Sequence, residues 1–150
     1  MSVRWVRYAV GNENNPGDPF GRSELVIEPD GTARLVHHFS RVRTVGAWTG
    51  RVDPAALDGF QVALERAGFP ATPTSQFVAG ATLRSLTVEV DGTSQQAIVD
   101  WHGSSKLPGY AEAFDVLDGI IRQLSGDTVR YPTEQPPIVN DIRAIPDVSS

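Results

Sequence analysis

The chain carries the same short pattern twice. Leu25-Val26-Ile27-Glu28-Pro29-Asp30-Gly31-Thr32 runs into a second apolar run, and Leu86-Thr87-Val88-Glu89-Val90-Asp91-Gly92-Thr93 does the same. Asp30 and Asp91 stand 61 positions apart. In each case a β-favouring run meets Asp-Gly-Thr and a further strand-like run follows. Asp-Gly between such runs specifies a tight reversal, because glycine accepts positive φ at no steric cost. Two hairpins are therefore expected, and a chain committed to them must build an antiparallel sheet. Pro29 suits a type I turn with Gly31 in the left-handed position. The second hairpin lacks the proline, so Asp91-Gly92 fits a two-residue type I′ turn.

Further elements follow in order. Residues 3–10 read as a strand, and so do residues 41–50. Residues 11–22, with Asn12, Glu13, Asn14, Asn15, Pro16 and Asp18, form a loop. Their oxygens invite an ion, but their spacing does not match a calcium loop. Asp53 caps a helix whose first position is Pro54, and Leu57, Phe60, Leu64 and Ala67 recur on one face until Gly68 ends it. Residues 70–81 are a turn-rich connector, and residues 102–109 a loop. A second helix spans roughly 109–124, with Tyr110, Phe114, Leu117 and Leu124 on one stripe. Strands in runs with helices after them indicate an α+β fold: an antiparallel sheet built from the two hairpins and flanking strands, with two helices on one face. Residues 1–131 are expected to form one domain. Residues 132–150 read as a proline-rich C-terminal tail that could dock in extended form on its own domain or on a partner.

The order of features resembles small uncharacterised bacterial α+β domains, among them immunity proteins of polymorphic toxin systems. The resemblance rests on the Asp-Gly-Thr runs, Gly46-Ala47-Trp48-Thr49-Gly50, Ala67-Gly68-Phe69-Pro70 and the helix that Pro108 initiates. It covers most of residues 3–131. It implies a cytoplasmic protein that binds and neutralises a toxin, and it transfers no catalytic residue.

Composition narrows the function classes. Among 150 residues the net charge is −5, which argues against general nucleic-acid binding. The charge is uneven: residues 1–51 hold seven arginines against five acids, and residues 52–150 six bases against thirteen acids. A basic sheet face and an acidic helical half follow. The chain has no cysteine, which excludes thiol catalysis and thiolate metal sites. Met1–Arg7 hold no long apolar run, so no secretory signal is expected, and no segment reads as a membrane span.

Chemistry-bearing motifs are scarce. His37 and His38 are strand neighbours and point to opposite faces, so only one could join His102 and Asp100 at a metal. Asp100-Trp101-His102-Gly103-Ser104-Ser105 holds Asp, His and Ser but no nucleophile elbow. Asp115 and Asp118 read as a solvated helix face. No phosphate loop occurs. No catalytic residue, cofactor or metal is expected. Trp5, Trp48 and Trp101 fall on expected strands, with Tyr8 on the first, and core positions are the ordinary reading for them. The sharper reading is an open sheet face where Arg41, Arg43, Trp48, Trp101 and His102 meet a protein partner, since Trp and Arg are enriched at binding hot spots. The sequence thus points to a non-enzymatic protein-binding module, most specifically an immunity protein. A structural component of a bacterial assembly is the alternative, and a small-ligand protein or enzyme has the least support. Partner identity and oligomeric state are left open.

Overall fold

A computed structural model of the chain describes residues 3–11, 21–39, 44–72, 82–131, 133 and 138–145. The elements in order are β1 (Val3–Gly11), β2 (Arg22–Ile27), β3 (Thr32–Phe39), β4 (Thr44–Val52), α1 (Pro54–Ala67), β5 (Leu83–Val90), β6 (Thr93–Asp100), α2 (Trp101–Ser104), α3 (Tyr110–Leu124) and β7 (Val139–Ala144). The protein is α+β. The strands form one seven-stranded sheet in the order β6-β5-β1-β2-β3-β4-β7, and every pairing is antiparallel.

The two hairpins lie on either side of β1. Between β2 and β3, Gly31 has φ 90° and its N–H donates to Glu28 O at 3.0 Å. Asp30 Oδ1 accepts from Thr32 N at 2.9 Å, which holds the turn from the side-chain end. Between β5 and β6, Asp91 and Gly92 have φ 51° and 84°, the two positive values that a type I′ turn demands. β1 then pairs with both hairpins, Tyr8 lying opposite Leu25 on one side and Leu86 on the other.

Alternation along the strands decides which face the helices cover. Val6, Tyr8, Val10, Leu25, Ile27, Leu35, Leu86 and Val88 are each at most 2 % exposed. The register places them on one side of the sheet, where Phe60 and Leu64 of α1 and Phe114, Leu117, Ile120, Ile121 and Leu124 of α3 complete the core. Each buried aliphatic or aromatic side chain contributes about 1.5–3 kcal/mol.

α1 begins as its sequence dictates. Asp53 Oδ1 accepts from Ala55 N at 3.0 Å, Pro54 occupies the first turn, and Gly68 closes the helix at φ 75°. α3 begins differently. Gly109 has φ 84°, and its N–H donates to Glu112 Oε2 at 2.6 Å. A Cβ at Gly109 would lie 2.7 Å from Ala63 O, so this glycine sets how closely α3 crosses α1.

Three expectations are corrected here, and Trp48 takes the core-side position that is its ordinary reading. Two helices were expected, and a third, short one is present. It overlaps the stretch expected as a loop over 102–109, and Trp101 heads it instead of ending a strand. The strand stops because Trp101 N turns to donate to Thr82 O, while Ser104 Oγ donates to Trp101 O at 2.8 Å and closes a helical turn. Asp118 is 1 % exposed and is not part of a solvated helix face. Trp48 pairs with Leu35 and so lies on the helix-covered side, where its indole overlies Gly46.

Residues 138–145 take part in this fold. Val139–Ala144 pairs with β4 as an edge strand. Gln123 Oε1 accepts from Val139 N at 2.9 Å, and Asp53 N donates to Ile138 O at 2.9 Å. Gly50 leaves the space that Leu124 and Val139 fill; a Cβ there would come within 2.8 Å of both.

Candidate functional site

Two regions of this fold gather polar groups, one exposed and one buried. The first is the open face of the sheet. Residues of the parity opposite to the core, such as Trp5, Arg7, Val26, Arg34, Val36, Thr87 and Ile98, are half-buried or exposed. The register lines up Thr87, Arg7, Val26, Arg34, Thr49 and Arg143 across β5, β1, β2, β3, β4 and β7. Arg7, Arg34 and Arg143 therefore stand on every second strand. Adjacent strands are about 4.8 Å apart, so the arginines repeat about every 10 Å. Arg7 reaches Glu24 at 3.5 Å, and Arg22 reaches the same carboxylate at 3.3 Å. Arg51, on the same face, donates from Nη2 to Asp30 O at 2.9 Å. Ile98 is 38 % exposed on this face.

The second is the end of the sheet where Gly11 lies between Arg22 and Leu83. On the covered side the outermost row runs Arg84, Val10, Ser23, His37. Three of those four are polar and all are buried. The Arg84 guanidinium donates from Nε to Ser104 Oγ at 2.9 Å and from Nη1 to Asp118 Oδ2 at 2.8 Å. Nη1 also donates to the Tyr8 hydroxyl. Tyr8 in turn donates to Asp118 Oδ1 at 2.8 Å. The guanidinium lies 3.8 Å from the Trp101 ring centroid and 5.1 Å from that of Phe114, both within cation–π range. Tyr8 stacks on Phe114, and Phe114 on Tyr110.

Burial governs the titration of Asp118 and Tyr8. It pushes the Asp118 carboxyl up to about 6, ahead of the opposing pull of Arg84 and of the Tyr8 hydroxyl. It also raises the Tyr8 phenol well above its ordinary value, with the Asp118 charge adding to the effect. Beside this cluster, Ser23 Oγ lies 2.7 Å from His37 Nδ1 and 3.1 Å from Tyr131 Oη. The Tyr131 ring sits 5.4 Å from Trp101, and His37 meets Phe39 edge-on at 4.5 Å.

The residues singled out from sequence are scattered by this arrangement. Trp48 lies on the covered face and packs against the core. Trp101 is half-buried beside Arg84, and His102 is exposed next to it. Arg41 and Arg43 lie outside the described residues, as do 12–20 of the expected ion loop. His37 is engaged with Ser23 inside the fold, on the strand face opposite His38. Among the described residues no group of three or more histidine, aspartate or glutamate side chains converges as a metal site.

Sequence reasoning missed Arg84, Tyr8 and Asp118. The signal was present. Arg84 shares the core parity of Leu86, Val88 and Val90, and Asp118 lies on the stripe of Phe114, Leu117 and Ile121. A charge on an apolar stripe has to find a partner, and these two found each other.

No protein-family model, no curated protein and no solved structure matches this chain. No helix among the described residues is long and apolar enough to cross a membrane.

Proposed function

We propose that this protein is a non-enzymatic protein-binding module, and that an acidic partner docks on the open face of its sheet. The observation that carries the reading is the row Arg7, Arg34 and Arg143, repeated on alternate strands of a protein whose net charge is −5. A fold that covers one side of its sheet and presents arginines on the other offers a broad, rigid, basic platform. Charge of that kind steers an acidic partner and sets its orientation. Its most specific form is the one the sequence resemblance implies: an immunity protein that holds a bacterial toxin in a cytoplasmic complex.

The test uses the full chain and a triple variant, Arg7→Glu, Arg34→Glu and Arg143→Glu. The arginines are exposed, so folding should survive. Affinity capture from the native cell is expected to return one stoichiometric partner with the wild type and to lose it with the variant. That partner, expressed alone, is expected to arrest growth, and co-expression of this chain to restore it. A partner retained equally by both forms would remove the open face from the argument. Absence of any stoichiometric partner would remove the binding function.

A further inference from the structure

We propose that the cavity beside Arg84 is a binding site for a small monocarboxylate with a compact apolar body. The cavity lies on the helix-covered side of the sheet, away from the arginine row, and does not depend on the function proposed above. Its volume is about 350 Å³. That lies at the lower end of the range for small-molecule sites.

A guanidinium has five N–H donors on three nitrogens. In Arg84, Nε is taken by Ser104, and Nη1 by Asp118 and Tyr8. No described residue takes Nη2. Arg84 is 7 % exposed, yet no buried side-chain nitrogen or oxygen among the described residues lacks a partner. Nη2 therefore reaches open space, and the cavity that Arg84 lines supplies it. The three bonds behind the guanidinium and the Trp101 ring over its face hold it in one orientation. An anion meeting Nη2 would find donors already aimed, with no rotamer entropy left to lose.

The surroundings choose the class of anion. Asp115 and Asp118 border the same cavity, and Asp118 already balances the Arg84 charge. A dianion such as phosphate meets about twice the Coulombic repulsion from Asp115 and Asp118 that a single charge meets, and costs more to desolvate. A carboxylate, with a single charge, would accept from Nη2 with far less opposition. Trp101, Phe114 and Ala111 form the apolar part of the wall, and Ser105 and His102 its polar rim. A short aliphatic or aromatic body matches that lining.

Because Arg84 supports the core, its replacement could unfold the chain, and the test is built on Ala111. This residue lines the cavity from α3 and takes no part in the Arg84 network. Ala111→Phe fills the space and leaves the guanidinium in place. Butyrate, benzoate, phenylacetate and inorganic phosphate are titrated into wild type and A111F. Ligand-observed NMR and calorimetry supply the readout, and melting curves establish that both forms are folded. Expected is binding of at least one carboxylate to the wild type, at least tenfold weaker in A111F, with phosphate at least tenfold weaker than that carboxylate. No response to any carboxylate, equal binding by folded A111F, or phosphate binding as well as the carboxylates would each overturn the proposal.

Discussion

At the scale of single residues, the chain places its charged groups under two different regimes. Arg34 and Arg143 stand in water, where ion pairs contribute little. Arg84 and Asp118 are buried, where each is costly without the other. Asp118 gives a pH signature. Its carboxyl rises from an ordinary 3.8 to about 6 on folding. An acid raised in this way favours the folded state while protonated. That contribution is complete below pH 3.8 and is lost as pH rises through about 6. At 1.36 kcal/mol per pKa unit it amounts to about 3 kcal/mol. Melting temperature followed from pH 4 to 7 should carry this downward slope, superimposed on the other carboxylates. Asp118→Asn should abolish the slope, because an amide has no proton to release on this range. A slope of the same size in D118N would assign it to another group. Gly109 gives a second residue-scale expectation. Gly109→Ala should cost about 3 kcal/mol or more, since the new Cβ meets Ala63 O at 2.7 Å in a left-handed backbone. Denaturant melts of G109A against wild type measure it.

At the scale of elements, the start of α1 and the end of the sheet respond differently to change. The Asp53 cap is exposed and local. Asp53→Ala should cost about 1 kcal/mol, as other caps do, without altering the fold. β7 is another matter. It covers β4, and its Val139 fills the space beside Gly50 and Leu124. Truncation after residue 137 should expose both the β4 edge and that space. The expected result is a loss of several kcal/mol, from lost core burial and unpaired backbone. Aggregation should accompany it, read by light scattering. A truncated chain that melts like the full one would make β7 an arm for assembly instead of a part of the core.

At the scale of the whole molecule, the sheet divides its labour by face. One side buries the aliphatic rows under α1 and α3, and the other carries alternating arginines. Complex formation through the arginine face should weaken steeply with ionic strength, about as screened surface charges do. Affinity measured from 50 to 300 mM salt checks this, and a flat profile would point to an apolar contact around Ile98 and Trp5. The small-molecule site is sheltered on the covered side, so the triple arginine variant should bind carboxylates as the wild type does.

What sequence alone determined was local. The Asp-Gly turns, the Asp53–Pro54 start and the Gly68 stop are short-range devices whose stereochemistry acts over four or five residues, and the strands and helices they bound follow from periodicity. The alternation of Leu25 and Ile27, and of Leu86, Val88 and Val90, identified a core face before any partner for it was known. What only the tertiary structure decided was which residues meet. Tyr8, Arg84 and Asp118 are separated by 76 and 34 positions, and only the β1–β5 pairing and the seating of α3 bring them within hydrogen-bond reach. The arginine row is likewise a product of register across β1, β3 and β7, since a one-residue slip in any of them would turn its arginine to the other face. The twin hairpins with which the chain announces itself are scaffold. They set the register, and the register brings distant charges together at one end of the sheet and lines others up across its open face.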